Sequence, residues 1–518
     1  MKYRSTRGKS SDLSFEQVVF QGLAPDGGLY IPETIPQIDI KTLEEWSKLP
    51  YTSLSYEILR KFIDINEVSN EDLKNLINIS YSTFDIPEIV PVKQLKNNIY
   101  IMELFHGPTF AFKDIALQFL GNLFEYFLEK KNKNLKKGEK KSFITILGAT
   151  SGDTGSAAIY ALRKKKNVFV FILHPTGRVS SIQEAQMNSV LDMNVFNLSV
   201  EGNFDDCQEI VKTLFSDLEF KKKYSLGAIN SINWARILAQ IVYYFYSFFQ
   251  ISKKLNIDLD KLKLNFSVPT GNFGDVLAGY YALRMGLPIN KLIIATNEND
   301  ILYRFIQTGK YEKLKNSNGI CEVKKTLSPS MDILVSSNFE RLLWYLIKGD
   351  DKNENNASEI VTKLMNDLKQ NGFFEVENKV LEKAKLIFDS VRVNDTETSN
   401  CIARYYHSNE NSYILDPHSS VGVVSAEKLN KNDIIYVCLA TAHPGKFPEA
   451  VMNAINNYDK KTKTEDIKYE NFAPKNLIKL RGLPMKCIYI KTDGGNKDKG
   501  VEQVKYVIEN TMSSVDQF

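Results

Sequence analysis

The chain has 518 residues, 43% hydrophobic and 25% charged, with a formal net charge of +4. That length exceeds what one core supports and asks for two or three domains, while the composition is that of an ordinary globular protein and excludes a disordered or fibrous chain. The small charge gives no electrostatic reason to expect a nucleic-acid or membrane partner, and the lysine clusters at Lys130–Lys141 and Arg163–Lys166 carry no interleaved aromatics.

From the N-terminus, MKYRSTRGKSSD is polar and charged, with no apolar core of a secretory signal. The RGKS stretch resembles the tail of a phosphate-binding loop, but Tyr3 stands where its first glycine belongs, so that reading fails. A short helix spaced by Phe15, Val18 and Val19 ends at Gly22 and the turn Pro25-Asp26-Gly27-Gly28. Residues 1–95 are expected to form a first domain.

From Ile99 the pattern becomes strand, glycine turn, helix, repeated. IYIMELF is a strand, then comes the turn His106-Gly107-Pro108, and Lys113 opens a helix over Ile115–Leu128. Desolvation by apolar neighbours and a helix N-terminus both favour a neutral amine. Lys113 is therefore either a nucleophile for carbonyl groups or a snorkelling lysine at an ordinary helix start. KSFITILGATSGDTG, NVFVFIL, DMNVFNLSV and KLNFSVPTGNFGD continue the rhythm, which predicts an α/β fold with mostly parallel sheets covered on both faces. The apolar run Ile237–Phe249 is too short to cross a bilayer and predicts a buried helix. Lys348–Ser358 has the composition of an exposed insertion, and Asp459–Asp466 that of a polar linker before a C-terminal stretch with no assigned element.

Two turns concentrate chemistry. Gly148–Gly155 and Pro269–Asp275 each join a buried strand to a helix and combine exposed N–H groups with hydroxyls or an amide. Each is either an anion cradle or a tight turn that needs small residues. The first lacks the G-x-G-x-x-G spacing, and NVFVFIL ends without an acidic residue, which weighs against a dinucleotide. The five histidines show no metal-ligand spacing, and five dispersed cysteines without a CxxC pair suit a reducing compartment, so the cytoplasm is expected.

FHGPTFAFKD, LGATSGDTGSAA, NSINWARILAQ, PTGNFGDVLAG, SPSMDILVSSNFERLLW, LDPHSSVGV and TAHPGKF, with the N-terminal STRGK and APDGGLYIP, occur in that order from about Tyr3 to Val451. Together they resemble the threonine synthases of the long, bacterial and yeast type. The resemblance implies fold type II of the pyridoxal-phosphate enzymes, like the tryptophan synthase β subunit, with an N-terminal domain and parallel-sheet large and small domains. Residues 96–141 and 227–518 would form the large domain, and 142–226 a smaller mobile one. It also implies the reaction of O-phospho-L-homoserine with water to give L-threonine and phosphate.

Carried over by motif, Lys113 would bind pyridoxal 5′-phosphate as a Schiff base and serve as the catalytic base. Gly271, Asn272, Phe273, Gly274 and Asp275 would hold the cofactor phosphate, and Thr441 would approach the pyridine nitrogen. Thr150, Ser151 and Thr154 would receive the substrate carboxylate. Asp153 lies among these substrate-side residues, where the wider fold family has an asparagine facing the cofactor's 3′ oxygen. Arg178, after a PTG turn, is either a bidentate phosphate clamp or a surface arginine. No metal is expected, and the chain is expected to be a monomer or weak homodimer. His106 and His418 read as hydrogen-bonded structural histidines, and Asn338 and Arg341 as braces of the site.

Overall fold

The computed structural model describes residues 1–136, 138–316, 319–349, 354–409, 411–457, 466–493 and 497–515. Along them the first strands are β1 (Tyr3–Ser5), β2 (Tyr30–Pro32), β3 (Val92–Lys96) and β4 (Ile99–Glu103). Next come β5 (Ile144–Ala149), β6 (Val168–Pro175), β7 (Val195–Val200) and β8 (Leu226–Gly227). They are followed by β9 (Leu264–Pro269), β10 (Lys291–Thr296), β11 (Lys310–Glu312) and β12 (Phe373–Glu375). β13 (Phe388–Arg392), β14 (Ile435–Ala440) and β15 (Ile488–Ile490) complete the series.

The chain divides into two compact units. The first comprises Met1–Val18, Leu23–Ala116 and Ser231–Ala473. Its sheet has six strands in the order β13-β10-β9-β14-β4-β3, all parallel except the antiparallel edge pair β3–β4. β9, β14 and β4 are fully or almost fully buried and mostly apolar, as strands covered on both faces must be. The run predicted as a buried helix lies within Trp234–Leu255, which Asn233 caps at its start by accepting from the Ala235 N–H. Asn256 ends it in the left-handed conformation with φ 53°. Residues 1–95, expected as a first domain, do not separate as one: all but Val19–Gly22 fall in this unit, including the antiparallel pair β1–β2.

The second unit comprises Val19–Gly22, Leu117–Asn230 and the chain from Pro474 onward. Its parallel sheet runs β15-β7-β6-β5-β8. β15 adds to β7 with Ile488 opposite Leu198, and the helix Lys497–Val515 buries Val504, Ile508 and Met512 among Leu198, Val200 and Ile210. The structure thus groups residues from 474 onward with the smaller sheet, whereas the sequence reading kept them in the large domain.

Residues 350–353 of the first polar stretch and 459–465 of the second lie outside the described residues. The remainder of the first is not an exposed insertion. Glu354–Gln370 is a helix in which Ala357 and Ser358 are buried, and the Trp344 indole N–H donates to Ser358 Oγ at 3.0 Å. Its polar residues misled because they cover only the outer face of an amphipathic helix. Among the described residues no helix is long and apolar enough to cross a membrane.

Candidate functional site

In the first unit β9, β14 and β4 are neighbours and run in the same direction, so their C-terminal ends share one sheet edge. Turns at such an edge are where ligands of α/β proteins gather. The turn after β4 is zipped to the residues after β14. Leu104 N–H donates to Ala440 O at 3.0 Å, Phe112 N–H to Thr441 O at 2.8 Å, and His443 N–H to Phe110 O at 3.0 Å. Lys113, one residue beyond the Phe112 bond, opens the helix Lys113–Lys133, is only 8% exposed, and holds Nζ 4.9 Å from the Phe112 ring centroid. Lys113 and the buried Thr441 are therefore brought together, although 328 positions separate them in the chain.

The Lys113 turn is built on a buried acid. Asp114 accepts from the Thr109 N–H at 2.8 Å and from its hydroxyl at 2.7 Å, and Lys446 Nζ donates to Thr109 O at 2.8 Å. Burial pushes the Asp114 carboxyl up to about 6 against the lowering pull of Thr109 and of the Lys446 charge. Gly107 must be glycine, since a Cβ there would lie 2.5 Å from that of Asp114. Glu103, at the end of β4, accepts from Lys93 Nζ (2.9 Å) and the Tyr413 hydroxyl (2.7 Å) and pairs with His106 Nε2 at 2.8 Å. Its burial opposes ionisation, but these partners outweigh it and hold the carboxyl below its ordinary range. His418 is engaged by Asp416 at 2.6 Å and by the Ser330 N–H at 3.1 Å. Burial first, then the proximity of His106, takes His443 down to about 4, so it is neutral. His106 and His418 are thus hydrogen-bonded within the fold.

The turn after β9 leads into the helix Gly274–Arg284, with Phe273 in the left-handed region at φ 63°. Its carbonyls are held from behind. Ser336 Oγ donates to Gly271 O at 2.6 Å, and Asn338 donates to Asn272 O from both N–H (3.1 Å) and Nδ2 (2.9 Å). Among the described residues no acceptor takes the N–H groups of Asn272 to Asp275. These donors at a helix N-terminus make an anion cradle. The Asp275 side chain turns the other way: its Oδ1 accepts from the Tyr243 and Tyr244 hydroxyls, and burial pushes it up to about 6. Only its backbone belongs to the cradle.

Arg236, in the first helical turn of Trp234–Leu255, carries a signal that sequence reasoning missed. It is 4% exposed, and its Nε and Nη1 have no hydrogen-bond partner among the described residues; Gln240 Oε1, one turn later, has none either. Burial pushes the guanidinium well below the ordinary arginine range, down to about 10. A buried, unpaired cation is expensive unless an anion meets it. The one clue in the sequence was a single arginine at the head of an otherwise apolar run.

In the second unit the turn after β5 folds onto one hydroxyl. Thr150 Oγ1 accepts from Gly152 N–H at 3.0 Å and Gly155 N–H at 2.8 Å, leaving its own proton to donate. A Cβ on Gly155 would lie 2.4 Å from Thr150 Cγ2, so the close approach requires glycine. Ser151 is exposed, Thr154 half-buried, and the buried Asp153 accepts from Gln183 Nε2 at 2.9 Å. Arg178 is exposed.

Three family models cover the chain: "Threonine synthase N terminus" matches residues 2–81, "Pyridoxal-phosphate dependent enzyme" 86–438, and "Threonine synthase, C-terminal" 419–507. The threonine synthase of Saccharomyces cerevisiae is 52% identical over 99% of this chain and 98% of its own length. The crystal structure of threonine synthase from yeast superposes with a TM-score of 0.91 at 51% identity, covering 99% of both chains. That of pyridoxal-phosphate-bound threonine synthase from Brucella melitensis gives 0.86 at 39% identity, again over 99% of both.

Proposed function

The chain belongs to the threonine synthase family of pyridoxal-phosphate-dependent enzymes, and from that premise we propose how its own residues convert O-phospho-L-homoserine and water to L-threonine and phosphate. The observation that carries the proposal is the shared edge of β4, β14 and β9, the parallel neighbours that the Lys113 turn, Thr441 and the Gly271–Asp275 turn follow in the chain. The fit to the cofactor is chemical. A phosphate needs several N–H donors and a helix N-terminus, which Asn272 to Asp275 supply, and an aldehyde needs a shielded amine, which Lys113 supplies. Thr441, at the end of β14, is assigned to the ring nitrogen.

When bound, the cofactor supplies an electron sink for the carbanions made at the substrate's Cα and Cβ. Lys113 Nζ takes the Cα proton and later returns it. The carboxylate is assigned to the Thr150–Thr154 turn, where the Thr150 hydroxyl proton, Ser151 and Thr154 are donors and Asp153 is fixed by Gln183. The substrate's phosphate is assigned to Arg236, whose buried guanidinium calls for an anion, and the exposed Arg178 is kept as a second candidate clamp. Charge-assisted bonds at the leaving group matter because they hold the Cγ–O bond in the alignment that elimination requires. We read the enzyme as cytoplasmic, monomeric or weakly dimeric, and without a nucleic-acid partner. The test is turnover: purified enzyme given O-phosphohomoserine releases phosphate and threonine together, and Lys113→Ala does neither.

A further inference from the structure

The N-terminal segment is wired into the back of the cradle through two consecutive residues of the helix Phe339–Lys348, all within the first unit. Glu340 faces the segment after β1. Its Oε1 accepts from the Thr6 hydroxyl at 2.7 Å, and its two oxygens take Arg7 Nε and Nη2 at 3.1 and 3.0 Å. Thr6 in turn fixes the start of β2, since its oxygen accepts from the Leu29 N–H and its own N–H donates to Leu29 O, each at 2.9 Å. Arg341 is fully buried and faces three ways. Nε donates to Tyr30 O in β2 at 2.8 Å, Nη2 to Ile232 O just before the helix that bears Arg236 at 2.7 Å, and Nη1 to Asn338 Oδ1.

Asn338 completes the path. With its Oδ1 committed to Arg341, its Nδ2 is aimed at Asn272 O (2.9 Å) and Ser231 O (3.2 Å). A trans peptide points its C=O and N–H in opposite directions. Pinning Asn272 O and Gly271 O from behind therefore turns the N–H groups of Phe273 and Asn272 forward, into the cradle. The donors that would meet a phosphate are oriented by a chain of bonds that ends on Tyr30 and Thr6.

We propose that Arg341 is a positioning residue for the cofactor phosphate, and that docking of residues 3–7 and 29–32 is coupled to filling of the Asn272–Asp275 cradle. The proposal rests on the reading that this turn holds the cofactor phosphate. Coupling of this kind is reciprocal: the cofactor must steady the N-terminal segment as much as the segment favours the cofactor. Lysine cannot replace Arg341, because one ammonium cannot span three acceptors in a fixed fork.

The test uses the full chain, stripped of cofactor and titrated with pyridoxal phosphate by absorbance. Thr6→Val, which removes the side-chain bonds to Glu340 and to the Leu29 N–H, keeps the backbone bond to Leu29 O and leaves the cradle untouched, is expected to raise the cofactor's dissociation constant at least about fivefold, the lower end of typical couplings. Arg341→Lys should raise it more. Amide exchange at Thr6 and Leu29 of the wild-type chain should slow when cofactor is added, and that protection should vanish in Thr6→Val. Gly274→Leu, whose side chain would press on Ile237 and Asn338 behind the first helical residue and so displace the cradle's own turn, should lose the cofactor. If Gly274→Leu loses it while folded Thr6→Val and Arg341→Lys bind as wild type, the coupling is overturned and the cradle stands. If Gly274→Leu binds normally, the cradle reading falls and takes the coupling with it. Should Arg341→Lys fail to fold, Thr6→Val and the exchange measurement decide: unchanged affinity and no cofactor-dependent protection at Leu29 overturn the proposal.

Discussion

Replacing Arg236 by methionine should make the cofactor-free, ligand-free protein more stable while destroying its use of substrate. Burial pushes the guanidinium down from the ordinary arginine range to about 10, and each pH unit is worth about 1.36 kcal/mol, so its burial costs roughly 3 kcal/mol. The sign follows from the proton count. The unfolded chain holds the proton more tightly than the folded one, so the penalty is complete below pH about 10 and fades above it. Methionine fills similar space without a charge, and replacing buried ions by apolar groups gains about 1–4 kcal/mol in measured cases. In phosphate-free buffer Arg236→Met should therefore melt a few degrees above wild type. Millimolar phosphate should narrow the gap, because only the wild type gains a ligand. In turnover the variant should lose at least about a hundredfold in kcat/KM, the equivalent of one buried charge-assisted pair at about 3 kcal/mol. A variant less stable than wild type without phosphate, or one with an unchanged kcat/KM, would refute the assignment of Arg236 to an anion.

Asp275→Asn tests the buried acid behind the cradle. Its folded carboxyl titrates near 6, above the ordinary 3.8, so folding stability rises as pH falls through 6. The asparagine variant should be more stable than wild type at pH 8 and lose that advantage near pH 4; an advantage that grows toward acid would contradict the raised value. Ser151→Ala should raise KM for O-phosphohomoserine several-fold while cofactor absorbance is unchanged, and a parallel loss of cofactor would reassign that turn. Thr441→Ser should remain active, whereas Thr441→Asp should keep the cofactor, develop a long-wavelength absorbance band with substrate and slow threonine formation. A Thr441→Asp enzyme with wild-type rate and no new band would remove Thr441 from the ring nitrogen.

What was legible in the sequence is what is local. A buried strand, a small-residue turn and a helix follow one another within about 20 residues, so the parallel sheets and both glycine turns could be read directly. Lys113 stood out because its neighbours are apolar. The partners of those turns were not legible, because they come from far along the chain. Glu340 meets Thr6 across 334 positions and Arg341 meets Tyr30 across 311, and nothing in SSNFERLLW announces either. The inward turn of Asp275 depends on Tyr243 and Tyr244 of another helix, so the motif PTGNFGD reads as if the carboxylate belonged to the site. β15 is three residues long and gains its identity only from pairing with β7. Arg236 looked like one residue of a buried helix until its missing partners were seen in three dimensions.

The most direct measurement is phosphate and threonine quantified in the same tube from O-phosphohomoserine, paired with borohydride reduction and peptide mapping of the enzyme. The account predicts equal amounts of the two products, the pyridoxyl label on Lys113, and neither product from Lys113→Ala. Phosphate without threonine, a label on another lysine, or turnover by Lys113→Ala would contradict it.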